Sequence, residues 1–448
     1  MLESSFPIDK NNMSHYSAFP SPLELAASLR QKRGFVWLDS LAPQKTSQTL
    51  AKTVTPRQQG LSILAVEPDL LIEGKSKDWH LLEEELERRR ATEVHSGFSS
   101  KFQSHHRKKT NATVASSQSF LHLPEENSGA AIGYVRFDGS FCFGFYEKTY
   151  RHYSRATISQ WLTPLPIILP WKEKENALEP LSFQSNLTAE EYCQKVCSVQ
   201  QEIIAGNIYQ ACLAHCFKAP FEEDPWLLYL KLRKNNPAPF AAYLDLGQEK
   251  ILSSSPECFL KIEGRQISTY PIKGTRPRGN TRTEDDRQRF ELENSEKEKA
   301  ELMMITDLER NDLSKVTEYG SVITPQLLTL KSYPHVFHLV SKIQGKLCPS
   351  VTAAQALMAC FPGGSISGAP KKKAIEIIQR LEALDRGIFS GAIGYFGFNG
   401  TSQFNIAIRT MVLDQNIVSL HVGAGITSDS IPEEEWKETL HKAAGILT

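Results

Sequence analysis

Strand-like apolar runs crowd the second half of this 448-residue chain, and several neighbours have only a few residues between them. The runs are Ala211–Phe217, Phe240–Leu246, Phe259–Ile262, Ile267–Pro271, Ile393–Phe398, Phe404–Leu413 and Ile417–Val422. Ile393–Phe398 and Phe404–Leu413 read as one hairpin, because a short polar turn joins them. Helical patterns are mixed in. Thr188-Ala189-Glu190-Glu191 opens like an N-capped helix that runs to Ala205 and stops at Gly206. Glu296–Leu308 and Ala369–Leu384 carry apolar residues at helical spacing. A last helix is expected after Ser430, with Ser430 as N-cap, Pro432 in the first turn and Glu433 closing a capping box. Helices among sequentially adjacent strands predict an α+β fold with mostly antiparallel sheets.

The sequence divides into residues 1–185, with short apolar runs among polar stretches, and residues 186–448, where the patterns sharpen. Lys plus Arg and Asp plus Glu both number 51, so the net charge is zero and a broad basic face for nucleic acid is excluded. The basic run His105–Lys109 sits among Ser and Thr and reads as a solvated loop. No segment reaches the roughly 18–20 apolar residues of a membrane helix. The Trp161–Trp171 stretch is short and carries three prolines, so it reads as irregular or an edge. The first residues lack the basic start and apolar stretch of a signal peptide. Eight scattered cysteines, none at zinc-ligand spacing, predict free thiols in a reducing, cytoplasmic setting.

Three constellations carry chemistry. Glu298 and Glu301 stand three apart in a helical pattern, and Glu435 and Glu438 repeat that spacing. Each pair alone fits a solvated acidic face, whereas two converging pairs would suit a hard cation such as Mg²⁺. Second, the run from Phe361 to Lys371 is rich in Gly and Ser, including Ser365 and Ser367, and leads into a helix. Its exposed amides suit an anion, although it lacks the Lys-Ser/Thr ending of a Walker loop. Gly423-Ala424-Gly425 offers a second backbone cradle. Third, Ser255-Pro256-Glu257 and Pro271-Ile272-Lys273-Gly274-Thr275 each end a short apolar run, where side chains often project into a site. On the residues alone, the reading stops at a Mg²⁺-dependent enzyme acting on a small carboxylate.

The ordered motifs SSSPECFL, PIKGTRPRG, AELMMITDLERNDLSKV, HLVS, FPGGSISGAPKKKAIEII, GAIGYFGFNG, NIAIRTM and VGAGITSDS lie within residues 186–448. In that order they resemble the chorismate-utilising enzymes: anthranilate synthase component I, aminodeoxychorismate synthase component I, and the isochorismate and salicylate synthases. Before them, Trp37-Leu38-Asp39-Ser40 resembles the family's first-strand element and Gly133-Tyr134 its Gly-aromatic strand. The resemblance implies a large two-subdomain sandwich like anthranilate synthase component I, with residues 1–185 as an N-terminal subdomain and residues 186–448 as the chorismate-binding one. It also implies a Mg²⁺ cofactor on Glu298, Glu301, Glu435 and Glu438.

Two positions separate the members. Gln210 stands where the water-adding relatives carry a lysine base, and an amide cannot act as one. Lys273 stands where anthranilate synthases carry Ala, and the PIKGT form resembles the aminodeoxychorismate synthases. The implied reaction is amination of chorismate to 4-amino-4-deoxychorismate, for 4-aminobenzoate and folate synthesis, with Lys273 as nucleophile and Glu257 as acid. His338 would lie beside the ring carboxylate. Tyr395, Arg409 and the Gly423–Gly425 backbone would hold the enolpyruvyl carboxylate, with Gly274, Thr275, Ser365 and Ser367 also lining the substrate. Ammonia would come from solution or from a separate glutamine amidotransferase subunit, since no such segment is expected in this chain. Anthranilate synthase component I and isochorismate or salicylate synthase are the alternatives. One departure stands out: Cys212, Ala214, His215 and Cys216 replace the Asn, Thr, Gln and Arg of the family strand.

Overall fold

The computed structural model describes residues 20–40, 60–102, 128–155, 158–166, 181–247, 249–333, 336–382 and 384–447. The basic run 105–109 and much of the Pro-rich stretch lie outside them. Among the described residues the strands form two large sheets, and every ladder is antiparallel.

The first sheet has eleven strands. Gln210–Pro220 pairs with Ile417–Ile426, then come Thr410–Asp414, Lys250–Ser255, Phe240–Asp245, Val36–Asp39 and Gly60–Ala65, ending in the edge strand Ile158–Trp161. The second has ten. From Ile272–Pro277 it runs through Val336–Lys346, Gln266–Thr269, Cys258–Glu263, Thr401–Ile406, Ala392–Gly397, Ala130–Val135 and Phe141–Tyr146 to Leu70–Gly74. Strands from residues 1–185 thus extend both sheets. Val36–Asp39 pairs with Phe240–Asp245, and Ala130–Val135 pairs with Ala392–Gly397. The change of pattern near residue 185 is not a break in either sheet.

The sheets share a core that includes Val36, Ile63, Leu244 and Ile251 from the first and Ile132, Tyr134, Ile393 and Tyr395 from the second. Helices bury apolar side chains against the outer faces, giving three further clusters among the described residues. Burial at roughly 25 cal/mol per Å² of apolar surface is what holds such layers together.

The Ala189–Ile204 helix is capped by Thr188, with Glu191 completing the box, and Gly206 follows at φ +77°. Glu296–Ser314 and Lys371–Leu381 form helices where expected. Two expectations need correction. Phe404–Leu413 is not one strand: Thr401–Ile406 lies in the second sheet and Thr410–Asp414 in the first. The break falls at Arg409, whose φ of +50° turns the chain out of the extended conformation. At the C-terminus, Ser430 does not cap the Pro432–Leu447 helix. The first helical bonds run from Glu434 and Glu435 amides to the Ile431 carbonyl, and the Ser430 hydroxyl donates to Glu435 instead.

Candidate active site

Two neighbouring strands cross together from one sheet to the other, and the crossing builds the site. Ser253 pairs with Thr410 in the first sheet, and Cys258 with Asn405 in the second. Between these rungs lie Ser254–Glu257 on one strand and Ile406–Arg409 on the other. The crossing is pinned by the Ser255 hydroxyl donating to the Ile406 carbonyl at 2.6 Å, the Ile406 amide to the Glu257 carbonyl at 3.1 Å, and the Ser254 amide to the Arg409 carbonyl at 3.0 Å. Glu257 and Arg409 therefore occupy matched corners.

Glu257 is buried, and burial lifts its carboxyl to about 7. The Ser365 hydroxyl, the Lys273 ammonium and the Ile272 amide oppose that shift. Ser365 Oγ faces the carboxyl but closes no full hydrogen bond to any protein atom. Such a carboxyl holds a proton near neutrality and can deliver it.

Lys273 is aimed by a bulge. Lys273 pairs with Leu339 and Thr275 with His338, leaving Gly274 extra at φ +71°. A Cβ at Gly274 would lie 3.1 Å from Glu298 Oε2, so the close approach of the acidic helix also demands glycine. Lys273 Nζ lies 3.6 Å from Glu301 and 3.5 Å from where a Cβ on Gly425 would sit. That same Cβ would collide with Gln210 Nε2 at 2.2 Å. Gly425 is thus the bare stretch of backbone that admits Lys273 and Gln210 side by side. Gln210 is buried and its Oε1 has no partner.

His338 is buried beside this bulge, with Nδ1 2.9 Å from Thr275 Oγ1. Burial, assisted by Arg409, pushes the imidazole down to about 4, so the ring is neutral at neutral pH. Arg409 is itself held low by burial. It is half-buried, and its guanidinium makes no hydrogen bond or ion pair among the described residues, which leaves its fork open to an anion.

The acidic pairs come from two helices. Glu298 is lifted by burial and by Glu301, and lies 3.8 Å from Arg276. Glu435 is lifted by burial, offset by Ser430. Burial would lift Glu438 too, but Lys442 at 2.7 Å, Lys297 and Lys273 hold it low. Lys297 acts on Glu298, Glu435 and Glu438, and Lys273 on Glu298 and Glu438, so both pairs border one region. Among the described residues no three His, Cys, Asp or Glu side chains lie close enough together to hold a metal ion; each carboxylate is turned to a cation or a hydroxyl. The donor set, all carboxylate oxygens with mutual repulsion to relieve, fits Mg²⁺ in its chemistry.

The structure brings Glu257, Lys273, Gly274, Thr275, His338, Ser365, Arg409 and Gly425 into one region. Gly423 and Ala424 stand on the Gly425 strand, opposite Ala214 and Leu213. Ser367 is fully buried, and its hydroxyl is taken by the Gly363 carbonyl at 2.8 Å, so it shapes the loop from within. Tyr395 is not brought to Arg409. It lies in the core between the sheets, where Arg151, Thr401, Lys261 and Glu263 are its polar neighbours. The reason is alternation: a tyrosine on this face of its strand points between the sheets. Two buried residues here were not foreseen. Glu309 accepts from Thr269 at 2.7 Å, and Arg386 is enclosed by the Gly-rich loop and its neighbours. Both sit in ordinary-looking charged stretches of sequence.

Residues 68–448 match the family described as chorismate binding enzyme. The chain belongs to that family. It is 42% identical over 278 residues to anthranilate synthase component 1 of Lactococcus lactis subsp. lactis strain IL1403, taking in 61% of each chain. It is 40% identical over 283 residues to aminodeoxychorismate synthase component 1 of Bacillus subtilis strain 168, covering 63% of this chain and 60% of that one. These alignments span about three fifths of the relatives' length. Among solved structures, anthranilate synthase component I from Streptococcus pneumoniae TIGR4 superposes with a TM-score of 0.71 at 26% identity, over 90% of this chain and 95% of that one. The menaquinone-specific isochorismate synthase of Escherichia coli shares the fold, with a TM-score of 0.68 at 19% identity over 96% and 91%. No described helix is long and apolar enough to cross a membrane, and all eight cysteines are free thiols.

Proposed function

We propose that this chorismate-binding enzyme aminates chorismate to 4-amino-4-deoxychorismate. The observation that carries the reading is Lys273, whose amine stands between Gln210 and Glu301 within electrostatic reach of the Glu257 carboxyl. The free amine of Lys273 bonds to ring C2 while Glu257 gives its proton to the departing C4 hydroxyl, and the ring double bonds shift. Ammonia then bonds to C4 as an ammonium, the double bonds shift back, Lys273 leaves as the free amine, and the new ammonium returns one proton to the Glu257 carboxylate. Splitting the displacement gives each step a good nucleophile. The neutral amide of Gln210 cannot activate water, which disfavours hydration at C2. Arg409 supports the side-chain carboxylate of chorismate with its unpaired fork. Glu298, Glu301, Glu435 and Glu438 would hold Mg²⁺, which when bound would neutralise the ring carboxylate. Ammonia comes from a separate glutamine amidotransferase, or from solution at high concentration.

Anthranilate formation is the second reading, favoured by the names of several relatives. Product identity separates the two. Purified protein with chorismate, Mg²⁺ and ammonium should yield a product that an added lyase converts to 4-aminobenzoate. Fluorescent anthranilate as the main product would replace this reading with the second, and no chorismate consumption would overturn both.

A further inference from the structure

A cleft of about 120 Å³ opens at the end of the second sheet that lies away from Glu257. Strand Cys258–Glu263 leads to it from Glu257, and strand Val336–Lys346 leads to it from His338. The six residues of the first strand span roughly 20 Å, which keeps the cleft clear of the candidate active site.

Three elements meet there. The hairpin turn after Glu263 is two residues long, Gly264 at φ +61° and then Arg265. Helix Trp79–Phe102 supplies Arg90. Helix Ala353–Cys360 begins there, and its first residue, Ala353, lines the cleft, so the positive end of its dipole points in. Ile262 and Leu347, buried, give the cleft an apolar floor, with Pro349 and Val351 beside them.

Arg90 and Arg265 are the charged residues of the lining. Arg265 is spoken for: its Nε donates to the Leu347 carbonyl at 3.0 Å, and its Nη2 to the Glu318 carboxylate at 2.5 Å. Glu83, on the Arg90 helix, is likewise held by Thr352 and Gln355, at 3.3 and 3.4 Å. Arg90 is the cation left over. It is half-buried, makes no hydrogen bond or ion pair among the described residues, and its Nε is shut off from water with no acceptor. Leaving such a donor unmade costs about 1–3 kcal/mol, which an anion at the fork would offset. One surplus charge matches a monoanion. The volume, a little under the roughly 150 Å³ of a cavity that takes benzene, limits the rest of the ligand to about one ring.

We propose that this cleft binds a small monocarboxylic acid with an apolar body: Arg90 and the start of the Ala353–Cys360 helix take the carboxylate, and Ile262, Leu347, Pro349 and Val351 cover the body. The site is separate from the one that holds chorismate.

Benzoate is the probe, measured by equilibrium dialysis against the whole chain without chorismate or Mg²⁺. Arg409→Gln, which disables the anion group of the candidate active site, should keep one benzoate site. Arg90→Gln should weaken that site at least tenfold, since a hydrogen bond between charged groups contributes about 1.5–3 kcal/mol. Acetate, which lacks the apolar body, should bind at least tenfold more weakly than benzoate. Cys348 reads the location, because it is a partly exposed free thiol lining the same cleft. Saturating benzoate should slow its alkylation by iodoacetamide at least threefold by mass spectrometry, while Cys197, an exposed thiol on the Ala189–Ile204 helix, keeps its rate. That comparison uses the wild-type chain, so it decides the matter even if Arg90→Gln does not fold. No benzoate site in Arg409→Gln, full affinity in Arg90→Gln, acetate equal to benzoate, or an unchanged rate at Cys348 would each overturn the proposal. None of these readings needs turnover, so they stand apart from the identity of the product.

Discussion

Glu309 should be a proton carried inside the fold, and removing its capacity to ionise should stabilise the protein. Its carboxyl is buried, accepts a single hydroxyl bond from Thr269, and lies 3.4 Å through Cγ from where a Cβ on Gly364 would sit. Burial pushes it up to about 8 from an ordinary 4.5, with Glu257 and Asp312 adding to the rise and Lys371 and Thr269 opposing it. Between pH 4.5 and 8 the unfolded chain releases this proton while the folded chain keeps it. Stability contributed by the raised group is therefore present below 4.5 and lost as pH climbs, saturating above 8. Three and a half units correspond to roughly 5 kcal/mol, about 3 of them already lost at pH 7. Gln keeps an acceptor for Thr269 and never ionises. Urea unfolding of wild type and Glu309→Gln at pH 5, 7 and 9 should show a gap in favour of Gln that is small at pH 5 and several kcal/mol at pH 9. Repeating the pair in a Glu257→Gln background removes the coupling between the two acids. A gap independent of pH, or one favouring wild type in alkali, would show that Glu309 is ionised in the fold and the reasoning is wrong.

The other expectations are shorter. His215, His338 and His421 are all pushed down to about 4, chiefly by burial, so they stay neutral in the fold while the unfolded chain protonates near 6.5; stability should fall as pH drops from 6.5 towards 4, with about three protons taken up on unfolding near pH 5 by calorimetry in paired buffers. Lys273→Ala should lose most amination yet still bind chorismate, and mass spectrometry of wild type with chorismate and Mg²⁺ but no ammonia should find an adduct on the Lys273 peptide. An active Lys273→Arg without adduct would leave Lys273 a binding group, since Arg carries the charge but is no nucleophile. Glu301→Gln and Glu438→Gln should each raise the Mg²⁺ concentration for half-maximal activity at least tenfold, and an unchanged requirement would remove both from the metal set.

The α+β class and most strands were legible because alternation and short connections leave few choices. Sheet membership was not. Phe404–Leu413 reads as one apolar run, and only the left-handed turn at Arg409, stabilised by contacts from another strand, sends its two halves to different sheets. Lys273 and Glu257 stood out through their motifs, whereas the meaning of Tyr395 depended on which face its strand buries. Ser430 shows the limit of local signals: its hydroxyl serves Glu435, five residues on, in preference to a cap. Arg386 and Glu309 were invisible for the opposite reason. Nothing in a charged residue's sequence neighbourhood reports that it will be sealed from water by segments far along the chain.

The interleaving of early strands into both sheets also sets a timetable for synthesis. Ala130–Val135, buried on both faces, leaves the ribosome some 260 residues before its partner Ala392–Gly397. At roughly 5–20 residues per second that is a wait of about 13–50 seconds with only Phe141–Tyr146 to cover one edge. Val36–Asp39 waits likewise for Phe240–Asp245. Until the last third of the chain emerges, the nascent protein carries apolar strands with open edges, so its yield in the cell should depend on chaperone supply and translation speed more than on the stability of the finished fold.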